Sequence, residues 1–338
     1  MWEIARKNRY RSMVLLMLMG VILVGLGYIF GGAFIGGDGA YIGIVFALLL
    51  YFILLLVAFA GGKTIMLRMG NAKEADKIKH QQLYNIVEEM RLAAGMPFMP
   101  KVYVIEDPAP NAFAAGMTPK NSVVAVTTGL LEMSNRDELQ GVVAHEISHI
   151  INRDIRYMTI ATIMVASVAI MSHIFLRTMF YSSLSGGGGS RGGGGGKGQI
   201  IMLIVALVFA IIAPILIQML YFSLSRKREY LADASAARLT RYPEGLASAL
   251  EKIGKSTMDL KGAGKANAPM YIANPLKGKG KKVRNLSSTH PPLENRIKIL
   301  RAMGNGHSLL NYQQAYQSVT QKKSSVIPSS TIANETKG

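Results

Sequence analysis

Four stretches of this chain, at 13–30, 40–60, 158–176 and 200–224, contain no Asp, Glu, Lys or Arg. Helical backbone rises 1.5 Å per residue, so about 20 apolar residues cross the ~30 Å hydrocarbon core of a bilayer. Four such stretches are too many for the buried helices of one soluble core. The first follows Arg6, Lys7, Arg9 and Arg11, as a secretory leader would. Its apolar length exceeds a leader's and a second run follows at once, so the pair reads as a retained hairpin anchor. The third and fourth form a second hairpin, with His173 inside it and Pro214 marking a kink.

Basic residues set the expected orientation. Four precede the first span, none lies in the 31–39 connection, and Lys63 and Arg68 follow the second. The positive-inside rule then puts the N-terminus and the chain after residue 62 in the cytoplasm. Arg153 and Arg156 precede the third span and Arg226, Lys227 and Arg228 follow the fourth, so both ends of the second hairpin share that side. Arg177, Arg191 and Lys197, in the connection assigned to the outside, run against the rule. The excess of 38 Lys and Arg over 20 Asp and Glu is in large part this topology signal, and no nucleic-acid partner is expected.

The chain has no cysteine, which excludes disulfides, iron–sulfur clusters and thiolate nucleophiles; a metal has to be held by His, Asp or Glu. The glycine run at 186–198 fails as a phosphate-binding loop, because Arg191 stands where Gly is required and Gly198 where Ser or Thr is required. It reads as a flexible linker, as do the Lys/Gly-rich segment at 261–282 and the Ser/Thr/Lys-rich tail. The division that follows is 1–62, an N-terminal hairpin; 63–156 and 225–311, two parts of one cytoplasmic domain; 157–224, a second hairpin with the glycine loop; and 312–338, a flexible tail.

Within the cytoplasmic pieces, 72–94 reads as a polar-faced helix with Leu83, Ile86 and Val87 at helical spacing. Strands are predicted at 102–105 and 122–127, joined through Pro108, Pro110, Gly116 and Pro119. Asn135 or Ser134 caps a helix through Leu139, Val142 and Val143 to about Asn152. The fold class is α+β, mainly helical, on about four membrane helices.

That last helix contains His145, Glu146 and His149 as H-E-x-x-H. Spacing of four puts both imidazoles on one face a turn apart, where each can give a nitrogen to one metal ion. Glu146 projects beside them, placed to take a proton from water. With 6 His in the chain, composition alone produces about 0.004 such matches. Hydrolytic zinc takes three protein ligands and leaves a place for water. Asn152 and Ile155 occupy the glycine and third-histidine positions of the longer H-E-x-x-H-x-x-G-x-x-H pattern, so the third ligand has to come from further along. Downstream are Glu229, Glu244, Glu251, Glu294 and Glu335. Glu229 is favoured because Asp233 follows it by one helical turn, where its carboxylate can accept the outer N–H of a ligating histidine. A membrane hairpin between His149 and Glu229 returns the chain to the face it left, close to the membrane surface.

Asn111-Ala-Phe-Ala114, His145-Glu-Ile-Ser-His149 with Asn152-Arg-Asp154, Arg228-Glu-Tyr-Leu-Ala-Asp233 and His290-Pro-Pro-Leu-Glu-Asn-Arg296 together resemble the HtpX group of membrane-bound zinc metalloproteases, relatives of the CAAX prenyl proteases. The resemblance spans roughly 1–305. It implies a gluzincin-type peptidase domain holding one zinc ion through His145, His149 and Glu229, with Glu146 as catalytic base. It also implies quality control of misfolded or damaged membrane proteins at the cell membrane. The glycine runs between the third and fourth spans and the long tail depart from the group.

For the oxyanion of the tetrahedral intermediate, His290 and Arg296 are the candidate donors, against the alternative that His290-Pro-Pro merely starts a helix through Ile297 and Leu300. Asn111, Ala112, Phe113 and Ala114 are candidates for a strand edge that accepts an extended substrate, although Phe113 reads equally as a core residue. Zinc inside the bilayer is disfavoured by Asn135, Arg136, Asp137, Arg153 and Asp154 around the motif. A scaffold or transporter with structural histidines is the non-enzymatic rival. Expected partners are membrane lipids and protein or peptide substrates; the sequence leaves oligomeric state open.

Overall fold

The computed structural model describes residues 2–34, 38–163, 226–263, 267–275 and 290–335, with positions 177, 204, 208 and 212. The expectations for His173, Pro214, the glycine run at 186–198 and most of the third and fourth apolar stretches lie outside the described residues. The chain forms two compact units, 1–9, 62–159 and 221–338 as one, 10–61 and 160–220 as the other.

The apolar unit contains most of α1 (Trp2–Phe34) and α2 (Gly39–Met69). Among the described residues α2 is the helix long and apolar enough to cross a membrane, with a mean hydropathy of 3.1 over its best 18-residue window. Ile42, Val45, Phe46 and Phe52 on it are exposed, as side chains facing lipid would be. The two helices meet glycine to glycine. A Cβ on Gly31 would collide with the Gly39 carbonyl, and one on Gly43 with that of Gly27. Small residues four apart let helix backbones approach closely. Tyr51 Oη then donates to the Leu16 carbonyl at 2.8 Å.

The other unit is built on a four-stranded sheet: β1 (Ala72–Glu74), β2 (Lys101–Ile105), β3 (Ala112–Gly116) and β4 (Ser122–Thr127). The order is β1-β2-β4-β3, with β2 and β4 parallel and the outer pairings antiparallel. Every residue of β3 and β4 is buried, because both faces are covered. Val102, Val104, Val124, Val126, Ala112 and Ala114 pack on the helical side. Phe113, Ala115, Val123 and Ala125 pack on Met66, Leu67 and Tyr271.

The single helix predicted over 72–94 is instead β1, a turn, and α3 (Gln81–Ala93). Asn71 takes φ +51° and Asp76 Oδ1 accepts the N–H groups of Ile78 and Lys79, a side-chain turn that competes with helix. The register Lys73↔Val104 gives the freed backbone its partners. After β4, α4 (Thr128–Met133) leads to α5 (Arg136–Ile151), whose N-cap is Asn135 in a full capping box with Glu138. After the second apolar pair in the sequence come α6 (Arg226–Thr240) and α7 (Pro243–Lys255), which pack against α5.

Two stretches expected to be mobile are ordered where described. In the segment at 261–282, Met270, Tyr271, Ile272 and Ala273 are buried. Beyond α8 (Leu293–Ala302), the expected tail from 312 continues as α9 (Leu309–Thr320) and α10 (Ser329–Glu335). Tyr312, Ala315 and Tyr316 supply a buried stripe at helical spacing, and Val326 and Ile327 join the core. Gln313 Oε1 accepts both N–H groups of that dipeptide, at 3.0 and 3.3 Å. Low overall apolar content hid a few well-spaced apolar residues.

Candidate metal centre

Helix α5 carries His145 and His149 one turn apart, both buried, with their Nε2 atoms 3.2 Å from each other. From the first turn of α6, Glu229 brings Oε2 to 3.8 Å from His145 Nε2 and Oε1 to 3.6 Å from His149 Nε2. Bonds of about 2.0–2.1 Å at tetrahedral angles separate ligand atoms by about 3.3 Å. The observed separations lie within about 0.5 Å of that value, so the three groups can close on a metal ion with small shifts, and two imidazole nitrogens this close repel unless a cation or proton lies between them. Glu146 is 1% exposed and its Oε1 has no hydrogen-bond partner among the described residues. An orphaned buried carboxylate oxygen beside a ligand cluster fits a water on the ion. Among the described residues this is the one convergence of three ligating groups.

Each imidazole is backed by a carboxylate. Asp233, on α6 one turn beyond Glu229, places Oδ1 at 2.9 Å from His145 Nδ1. Asp154 places Oδ2 at 3.2 Å from His149 Nδ1. Arg296, on α8 and fully buried, donates Nε and Nη2 to Asp233 at 2.8 and 2.7 Å and Nη1 to the Ile272 carbonyl at 2.7 Å. His290 Nδ1 lies 3.2 Å from Glu229 Oε2. Of the two oxyanion candidates, Arg296 is thus committed to Asp233 and the 272 carbonyl, with Nη1 also 3.8 Å from Glu229 Oε2, while His290 stands against Glu229. Glu244 and Glu251, weighed as alternatives to Glu229, pair with Arg301 on the surface.

Without a metal the centre is strongly polarised. Burial brings His145 down to about 4 against the pull of the Asp233 hydrogen bond. Burial also opposes charge on His149, but the hydrogen bond to Asp154 and the carboxylates of Glu229, Asp154 and Glu146 outweigh it and lift the ring to about 9. Burial pushes Glu146 up to about 8, opposed by His149, Arg296 and the Ala114 N–H. Glu229 stays well below the usual carboxylate range despite burial, because His290, His149 and Arg296 surround it.

Strand β3 lies at the sheet edge, as a substrate-accepting strand has to, but part of that edge is occupied. The Ile272 N–H donates to the Ala112 carbonyl at 2.9 Å, and Phe113 forms a bridge with Tyr271. Asn111 Nδ2 donates to the Ala273 carbonyl at 3.0 Å. The Phe113 ring packs edge-on against Tyr271 at 5.3 Å, 1% exposed, as a core residue. At the other end the Gly116 N–H donates to Thr159 Oγ1 at 3.3 Å. Ala114, facing Glu146, lies between these two pinned positions. Sequence reasoning missed the contact of 271–273 with β3 because it falls in a Lys/Gly-rich segment, and gave Asp154 no role although it stands five positions after His149.

Two histidines and a glutamate on a helix beside a sheet edge, with a carboxylate from far along the chain beside them, make a cluster that could hold a metal ion, the arrangement of a metallopeptidase. The model of Peptidase family M48 matches residues 77–304, and the chain belongs to that family and is a metalloprotease. A Protease HtpX homolog of Dictyoglomus thermophilum is 44% identical over 92% of this chain and 97% of its own. One from Caldanaerobacter subterraneus subsp. tengcongensis is 43% identical over 90% and 98%. Among solved structures, S. mikatae Ste24p is 19% identical with a TM-score of 0.43, covering 89% of this chain and 67% of that one.

Proposed function

We propose that the chain is a zinc-dependent endopeptidase of the cell membrane that hydrolyses misfolded or damaged membrane proteins, with its peptidase domain, residues 63–156 and 225–311, in the cytoplasm. His145, His149 and Glu229 hold the ion, and a set of two imidazoles and one carboxylate with an open position suits zinc. When bound, the cation supplies Lewis acidity toward water and the scissile carbonyl. Glu146 removes a proton from the attacking water and delivers it to the leaving amine as the C–N bond breaks. His290, beside Glu229, is the donor we assign to the developing oxyanion; Arg296 holds Asp233, which in turn holds the His145 tautomer. An extended substrate has Ala114 as its point of contact on β3, flanked by the pinned positions 112 and 116.

Four membrane crossings, at 13–30, 40–60, 158–176 and 200–224, are supported by the charge flanks and by the exposed apolar surface of α2. Substrates embedded in the same bilayer follow from a peptidase anchored in it. The observation that carries the reading is the pair of Nε2 atoms 3.2 Å apart, facing Glu229, with Glu146 Oε1 unpartnered beside them. Zinc content and casein cleavage of detergent-purified protein, before and after Glu146→Gln, test it. The variant should keep its zinc and lose cleavage by about 10²–10⁴-fold; equal cleavage by both forms removes Glu146 from its role.

A further inference from the structure

Shortly after the second histidine of the motif, the helix stops. Asn152 closes α5, Arg153 takes φ +58°, and helical backbone resumes at Asp154. In an unbroken helix a residue five positions beyond His149 sits about 140° around the axis from it, aimed away from the imidazole. The left-handed step at Arg153 undoes that separation and brings Asp154 Oδ2 to 3.2 Å from His149 Nδ1, with Asp154 fully buried. A non-glycine residue in left-handed backbone persists only where its surroundings hold it, and such residues cluster at functional sites.

We infer that Asp154 is a positioning residue for the metal: it accepts the Nδ1 proton of His149, fixing the tautomer whose Nε2 lone pair faces His145 and Glu229. It does for His149 what Asp233 does for His145. Both carboxylates follow the histidines in the chain, one from beyond the second hairpin, the other from just past a break in the histidines' own helix. A carboxylate behind a ligating imidazole orients the ring and raises its basicity. The inference rests on the reading of His145, His149 and Glu229 as ligands.

The rival role for Asp154 is purely structural, as the first residue of the resumed helix. Full-length protein in detergent separates the two, using Asp154→Asn, nearly isosteric and still an acceptor, and Asp154→Ala. Three quantities are read: the zinc dissociation constant by chelator competition, the visible absorption of the cobalt-substituted protein, and the melting temperature of the metal-free form. Zinc affinity should fall about 10–100-fold in Asp154→Ala and less in Asp154→Asn. The cobalt bands should shift, and the metal-free melting temperature of Asp154→Asn should stay within a few degrees of wild type. Wild-type affinity and cobalt bands in both variants overturn the inference. So does a lowered metal-free melting temperature with zinc affinity unchanged. Wild-type protein that takes up no zinc at all overturns the ligand reading, and this inference with it.

Discussion

Asp233 Oδ1 stands 2.9 Å from His145 Nδ1 while Arg296 grips the same carboxylate through Nε and Nη2, so one buried anion serves a ring and a guanidinium at once. Asp233→Ala should therefore do two kinds of damage. Zinc affinity should fall about 10–100-fold as His145 loses its orienting partner. The metal-free fold should lose up to about 3–5 kcal/mol, because Arg296 loses its close partner and keeps only Glu229, 3.8 Å away, as counter-charge. Asp233→Asn keeps an acceptor and should fall between wild type and alanine on both measures. Chelator competition and metal-free thermal melts check this; an alanine variant that melts and binds zinc like wild type contradicts it.

Metal removal should cost stability. A ligand that binds only the folded state stabilises it by about 2.7 kcal/mol at a hundred times its dissociation constant. The cation would also relieve the close approach of His145 and His149 Nε2. Chelated protein should melt several degrees below the zinc-loaded form, and zinc should restore the difference. In Glu229→Gln, which weakens the third ligand, the zinc-dependent increment should shrink. Identical melting with and without zinc would count against a metal at these three residues.

The helix bearing the motif was legible because its signals are local: Asn135, one of the two residues offered as cap, closes its N-terminus, and His145 and His149 are a turn apart. Glu229 was legible only beside the histidine motif, which needs a third ligand, and through Asp233 one helical turn on; without that motif the pair reads as surface charge on a polar helix. What escaped is non-local or depends on a break in periodicity. Asp154 is brought to His149 by one left-handed residue, Arg153, whose side chain advertises no such backbone. Tyr271–Ala273 reaches the edge of β3 from a segment whose average composition suggests a linker. The stretch at 72–94 misled because Asp76 makes a turn with Ile78 and Lys79 where helical spacing alone suggested continuity.

Glu138 predicts an acid-side stability change. It receives the Asn135 N–H, the Ser248 hydroxyl at 2.6 Å and the Lys252 ammonium at 2.7 Å. Burial works against its charge, but these partners hold its carboxyl below the ordinary value. A group whose proton affinity is lowered by folding contributes stability that is complete above its unfolded pKa and is lost as pH falls through the folded one. Glu138→Gln should destabilise the protein by about 1 kcal/mol near neutrality, and the gap from wild type should close as pH falls below about 4. Denaturant melts at pH 7 and pH 3.5 measure it; a gap that is constant across that range would show the carboxylate's charge to be irrelevant.

The glycine seam of the first hairpin predicts opposite signs for one chemical change. Gly25 has open space where a Cβ would stand, whereas a Cβ on Gly43 would run into the Gly27 carbonyl. Alanine is favoured over glycine in helix interiors by about 1 kcal/mol, so Gly25→Ala should be neutral or slightly stabilising. Gly43→Ala has to push the two helices apart, at a cost of about 1–3 kcal/mol, and should loosen the bond from Tyr51 to the Leu16 carbonyl. Thermal melting of each variant in detergent reads the sign, and hydrogen exchange across α1 and α2 locates it. If Gly43→Ala matches Gly25→Ala in both, the two helices are not held at the separation that this seam requires.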